Sequence, residues 1–175
     1  MPAPSAPSAS GAFRVDHHIS TAAELLRRNR IAEAKEELEA ALEIDAESVR
    51  AQALYGLALF RGGQFEQARP IYEKLTTIAG DDAAYHLNLG LVRLKLGDAD
   101  GAVTALERSR ELDPSQGRAV NYLGLAYARG GRFAEAYRAF LVAGQVDLAR
   151  EIADNLSAGE RSSIEASLRR PAAGG

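Results

Sequence analysis

No cysteine occurs anywhere in the 175 residues. Its absence removes disulfides, thiolate metal sites and thiol catalysis together, and with them an N-terminal lipoprotein anchor. Aromatic residues make up only 6% of the chain, which suits alanine-rich helical packing better than a core built on large rings. No apolar run approaches the roughly 20 residues that a membrane span needs. Lysine is confined to Lys35, Lys74 and Lys95, so arginine carries nearly all the positive charge. With abundant alanine and glycine, that bias points to a GC-rich bacterial genome. A formal net charge of −3 leaves no electrostatic case for nucleic acid or an acidic membrane as partner.

What the chain does have is a period. Gly124, Gly90, Gly56 and Ala22 follow one another at steps of 34 residues. Ala136, Ala102, Ala68 and Ala34 keep the same step, as do Phe140, Leu106, Tyr72 and Leu38, and then Gly131, Gly97, Gly63 and Asn29. Small residues held in register over four turns of a constant interval are a repeat signal. The pattern resembles the tetratricopeptide repeat, a helix–turn–helix unit of 34 residues, over roughly residues 15–150. The resemblance implies an all-α fold, a right-handed solenoid of stacked hairpins. One departure from the family is clear: its early aromatic is replaced by His18, Gln52, His86 and Val120.

The small columns have a physical reason. Glycine within a helix costs roughly 1 kcal/mol relative to alanine, so it is expected only where another helix comes close. The alanine column is expected to face the glycines from the second helix of each hairpin. The larger residues at 38, 72, 106 and 140 are expected to fill the gap towards the next hairpin.

Four units follow, over residues 15–48, 49–82, 83–116 and 117–150, with a capping-helix region at 151–170. Residues 1–14, rich in proline, alanine and serine, are expected to be a disordered tail, and 171–175 a flexible one. The basic start and apolar run of a secretory signal are missing from the first residues. Gly80-Asp81, Gly97-Asp98 and Pro114-Ser115 read as stop-and-cap signals at equivalent places. Pro70 falls inside a second helix, where it removes one backbone hydrogen bond; it either kinks that helix or is tolerated on an outer face. Beyond Gly144 the period lapses. A short helix is expected over residues 147–156, then Ser157 with Glu160 three residues on makes a capping box for a last helix reaching about Arg169.

Catalytic chemistry finds no support. His17 and His18 are adjacent and would point about 100° apart on a helix, a poor metal pair. His86 stands alone. The glycines form turn pairs, not a phosphate cradle after a strand. No residue is assigned a catalytic, metal or cofactor role, and no enzyme activity is expected.

In proteins with this repeat, the first helices line an inner groove that binds peptides. Translation by 34 puts Ile19, Ala53, Leu87 and Asn121 on that strip, with Ala23, Leu57, Leu91 and Leu125 one turn on. Asn88, Tyr122, Arg50 and Arg118 complete it. Arg27, Arg61, Lys95 and Arg129 form a basic column that either meets carboxylates on a partner or complements the helix C-terminal dipole. A family subgroup clamps the C-terminal carboxylate of chaperones. That clamp would need polar residues at Ala53 and Leu57 and a basic one at Tyr122; only Asn88 and Arg118 fit. The expectation is therefore a cytoplasmic scaffold or adaptor that docks an apolar, acidic-flanked segment of a partner protein. A bacterial secretion-associated chaperone or pilus-assembly factor of the same repeat type is the alternative, and self-association through exposed end faces a third reading.

Overall fold

The computed structural model describes residues 9–115 and 117–169, and no strand is present among them. Two compact units divide the chain, one ending at Gly80 and one beginning at Asp81. The first holds α1 (Ala9–Arg27), α2 (Ile31–Ile44), α3 (Val49–Arg61) and α4 (Phe65–Ile78). The second holds α5 (Ala83–Lys95), α6 (Ala99–Leu112), α7 (Gly117–Arg129), α8 (Phe133–Val142), α9 (Val146–Ile152), a 3-10 turn at Ala153–Asn155, and α10 (Ala158–Arg169).

Each hairpin closes at the same backbone device. Asn29, Gly63, Gly97 and Gly131 all have left-handed φ angles, of 59°, 76°, 81° and 72°. That conformation ends the first helix and reverses the chain, and glycine or asparagine adopts it most cheaply. The fourth column in the sequence is thus a column of turns.

Packing within a hairpin differs from the expectation in one respect. Ala34, Ala68, Ala102 and Ala136 are fully buried, yet the side chains against the glycines are the large ones. A Cβ at Gly56 would lie 3.0 Å from the Tyr72 ring, at Gly90 2.5 Å from Leu106 Cγ, and at Gly124 2.5 Å from Phe140 Cδ1. Tyr72, Leu106 and Phe140 therefore lean back onto the first helix of their own hairpin, because a long side chain on the second helix can occupy the room that a missing Cβ leaves. Burying a ring of that size contributes about 2–3 kcal/mol.

Other differences are local. α1 opens at Ala9, ahead of the expected boundary at residue 15, while its buried stripe begins at Val15 and continues through Ile19, Ala22 and Leu26. The remainder of the expected tail, residues 1–8, lies outside the described residues, as do 171–175. The α5 cap is Asp82, whose carboxylate accepts from the Ala84 amide at 2.8 Å, not Asp81; Ser48 caps α3 at the equivalent position. Asp98 caps α6 as expected, accepting from the Gly101 amide at 2.9 Å. The Ser115 hydroxyl donates to Asp113 Oδ1 at 2.6 Å. Pro70 is tolerated, exposed on α4, which runs on to Ile78. At the far end the capping box forms: the Ser157 amide donates to Glu160 Oε2 at 2.8 Å, and the Glu160 amide to Ser157 Oγ at 3.2 Å. The Ser157 hydroxyl, which also donates to Glu160 Oε2 at 2.7 Å, and then the Ser157 amide hold the Glu160 carboxyl below its usual range.

Candidate partner-binding surface

One face of α3 carries Arg50, Leu54, Leu57 and Arg61, spaced four, three and four residues apart, so all four lie along one side of the helix. A shift of twice the repeat gives Arg118, Tyr122, Leu125 and Arg129 on α7. Each face is apolar at its middle and basic at both ends. Leu57, Ala53 and Tyr122 are half-buried, Leu125 is 36% exposed, and Arg50, Arg61, Arg118 and Arg129 are exposed. Asn121 and Asn88, both half-buried, add amide donors and acceptors in the second unit. Ala23 is half-buried on α1.

Three residues expected on the strip are in the interior instead. Ile19 is 3% exposed, Leu87 3% and Leu91 8%. Ile19 belongs to the stripe of α1 that meets Ala34, Leu38 and Ala41 in the first unit's core. On α5, Leu87, Leu89, Gly90, Leu91, Val92 and Leu94 are all buried, and a helix apolar around most of its circumference is a buried helix. Identical repeat positions thus have different exposures, because burial depends on what surrounds a helix as well as on its own register.

The basic column is partly architectural. Arg61 Nη1 donates to the Leu26 carbonyl at 2.8 Å, and Arg129 Nη1 to the Leu94 carbonyl at 2.6 Å. Both acceptors are in the last turn of the preceding first helix, where carbonyls lack an intrahelical partner. Each arginine therefore caps a neighbouring hairpin within its own unit, leaving its other N–H groups outward. Arg27, also exposed, pairs with Glu24, one turn away; Lys95 is exposed. The capping partner lies 35 residues back, a separation no local motif announces.

Near Arg129, the Tyr127 hydroxyl donates to Glu107 Oε1 at 2.6 Å. Burial, and then that hydrogen bond, push its pKa from the ordinary 10.0 up to about 12, with the Arg132 guanidinium, 4.6 Å above the ring, opposing the rise. The histidine pair is divided: His18 Nδ1 lies 2.7 Å from Glu37 Oε2 of α2, which makes it a packing residue between two helices, while His17 is exposed. Among the described residues, no group of three His, Cys, Asp or Glu side chains converges as a metal site would require. No helix among them is long and apolar enough to cross a membrane.

These geometries define a class, the all-helical repeat scaffold, and comparison with known proteins gives the family. Two family models, both described as tetratricopeptide repeat, match residues 25–89 and 87–147. The chain belongs to the tetratricopeptide repeat family; its fold is a helical solenoid, and proteins of this family are scaffolds that bind protein partners. A CTR9 homolog of Arabidopsis thaliana is 32% identical over 122 residues, 65% of this chain. The match spans only 11% of that protein's length. MamA AMB-1 superposes with a TM-score of 0.70 at 22% identity, over 76% of this chain and 79% of that one. Pseudomonas aeruginosa pilF gives 0.67 at 22% identity, over 91% of this chain and 71% of that one. At such identities the two structures speak for the fold alone.

Proposed function

We propose that this protein is a non-catalytic scaffold that docks partner-protein segments on two separate faces, one on α3 in the first unit and one on α7 in the second. The observation that supports it is the arrangement basic–apolar–apolar–basic repeated on both helices. An apolar anchor would cover Leu54 and Leu57, or Tyr122 and Leu125, while acidic flanks meet the arginines at either end. Asn88 and Asn121 would hold the backbone of a bound segment in the second unit. Ile19, Leu87 and Leu91 have no direct part in it. Arg61 and Arg129 contribute only the N–H groups that helix capping leaves over, and Arg27 and Lys95 contribute charge to the same edge. The protein acts in the cytoplasm in this reading. The secretion-chaperone alternative gains little from pilF, since that likeness is one of fold.

The test is a pair of single substitutions, Leu57→Glu, at a half-buried position, and Leu125→Glu, at an exposed one. Each should weaken capture of the native partner by at least about tenfold, the effect of one lost anchor of about 1.4 kcal/mol or more, with helical circular dichroism unchanged. Capture at wild-type strength by both variants would move the binding site off these faces.

A further inference from the structure

A second concavity recurs at the repeat interval, on another side of the same helices. In the first unit a notch of about 340 Å3 opens over Gln52 and Tyr55 of α3, between Leu42 of α2 and Pro70 and Ile71 of α4. Sixty-eight residues on, the same positions line a notch of about 260 Å3 in the second unit, as Val120 and Leu123 of α7, Arg110 of α6, and Arg138 and Ala139 of α8. The repeat supplies the void, and the side chains around it give each copy its chemistry. The first notch is mainly apolar. The Gln52 amide nitrogen donates to the Ala46 carbonyl, and its oxygen is buried without a partner, beneath the surface that an occupant would touch. Lys74 at the rim is held by Glu47 at 2.9 Å. Nothing there selects one occupant over another.

The second notch is different. Where the first unit has Leu42 and Pro70, it has Arg110 and Arg138, one from each flanking helix and both exposed. Other arginines of that unit are engaged. Arg108 pairs with Glu111 at 3.1 Å and Arg132 with Glu135 at 3.0 Å, while Arg129 caps the Leu94 carbonyl. Arg110 and Arg138 have no such partner among the described residues. The nearby acids are already taken, Glu135 by Arg132 and Glu107 by the Tyr127 hydroxyl at 2.6 Å. Val120 is half-buried and Val142 is 60% exposed, so the space between the two arginines is apolar. Two like charges beside one small void repel each other, and anionic groups placed there are attracted by both.

We propose that this notch binds an acidic segment of a partner protein in which an aliphatic side chain sits between two Asp or Glu residues. The aliphatic group covers Val120, Leu123 and Val142, and the carboxylates meet the Arg110 and Arg138 guanidiniums. Two guanidiniums from two helices call for two carboxylates, whereas a chain end brings one. Phosphate would answer the charge but leave the apolar carbons wet. A second copy of this chain is a poor source. Its aliphatic residues between acids, Leu38, Ile44 and Leu112, are themselves buried or half-buried. On α7, Val120, Leu123 and Tyr127 lie on the opposite side from Tyr122 and Leu125, so this site stands or falls independently of the docking faces.

The test titrates the full chain with Ac-Gly-Glu-Leu-Glu-Gly-NH2 and follows 1H–15N spectra. Saturable shifts are expected at the Val120, Leu123 and Ala139 amides and at the Arg110 and Arg138 Nε–H signals, with the Gln52, Tyr55 and Ile71 amides unmoved. Glutamine in place of both peptide glutamates should weaken binding roughly tenfold. Serine in place of the peptide leucine should weaken it by a similar factor. Arg138→Gln, with helicity checked, should cancel most of the preference for glutamate, and added salt should do the same to the wild type. Equal affinity for the glutamate and glutamine peptides, shifts confined to Tyr122 and Leu125, or no saturable shift would overturn the proposal. Tighter binding of Ac-Gly-Gly-Leu with a free carboxyl end would overturn it in favour of a chain terminus. Self-association abolished by Arg138→Gln would overturn it in favour of a second copy.

Discussion

The two units are built on one plan and use it differently. In the first, the notch beside α3 holds Gln52 with an unpaired oxygen; in the second, Val120 stands at that place and offers no polar atom. On the docking side the contrast lies among the leucines of one column: Leu91 is 8% exposed and Leu125 36%. The repeat determines where a void or a face will be. The residue that occupies it, and the helices packed round it, determine whether anything can bind there.

The largest effect expected follows from the leucine contrast. Leu91→Glu forces a carboxylate into the interior and should destabilise the fold by about 3 kcal/mol or more. Leu125→Glu, on an exposed position, should stay within about 0.5 kcal/mol of wild type. Urea denaturation of both variants measures the difference, and equal values would mean that the column has a single environment after all. Next in size is Gly124→Ala, whose new Cβ would lie 2.5 Å from a Phe140 ring that is itself 2% exposed. The overpacking, about 1–3 kcal/mol, is offset by about 1 kcal/mol of helix propensity, for a net loss of about 1 kcal/mol read from the same denaturation curves.

A smaller pair of changes exchanges the notches. Gln52→Leu removes the unpaired acceptor and should stabilise the protein by about 1 kcal/mol even after losing the bond to Ala46. Val120→Gln puts an amide in place of an apolar side chain and should destabilise by a similar amount. Thermal melts of the two variants should shift in opposite directions. The last effect is confined to alkaline solution. The Tyr127 phenol titrates at 10.0 when unfolded and at about 12 when folded. From pH 10 to 12 the unfolded chain therefore releases a proton that the folded chain retains. Stability should be level up to about pH 10 and fall from there to about pH 12, and Tyr127→Phe should remove that part of the slope.

Much of the architecture is legible in the residues. The 34-residue columns of Gly56, Ala68 and Gly63 become a close approach, a buried contact and a left-handed turn, since each is a demand of the hairpin on one residue type. The capping box of Ser157 and Glu160 is equally local and forms as written. What the sequence conceals depends on neighbours. Gly124 announces that something comes close, but not that it is Phe140 of its own hairpin. The basic column looks like a ligand-binding edge until Arg61 and Arg129 are found on carbonyls 35 residues back. Leu57, Leu91 and Leu125 are one column in sequence and three environments in the fold. The notch at Gln52 was announced only by the departure from the family aromatic, and its unpaired oxygen needs coordinates to be seen.

Partner capture from the native host by wild-type protein and by Leu57→Glu and Leu125→Glu, quantified by mass spectrometry, tests the scaffold reading most directly. The faces of α3 and α7, if they are the docking surface, require that at least one partner enriched by the wild type is lost from each folded variant. Retention of every wild-type partner by both variants, with their helicity intact, would contradict it.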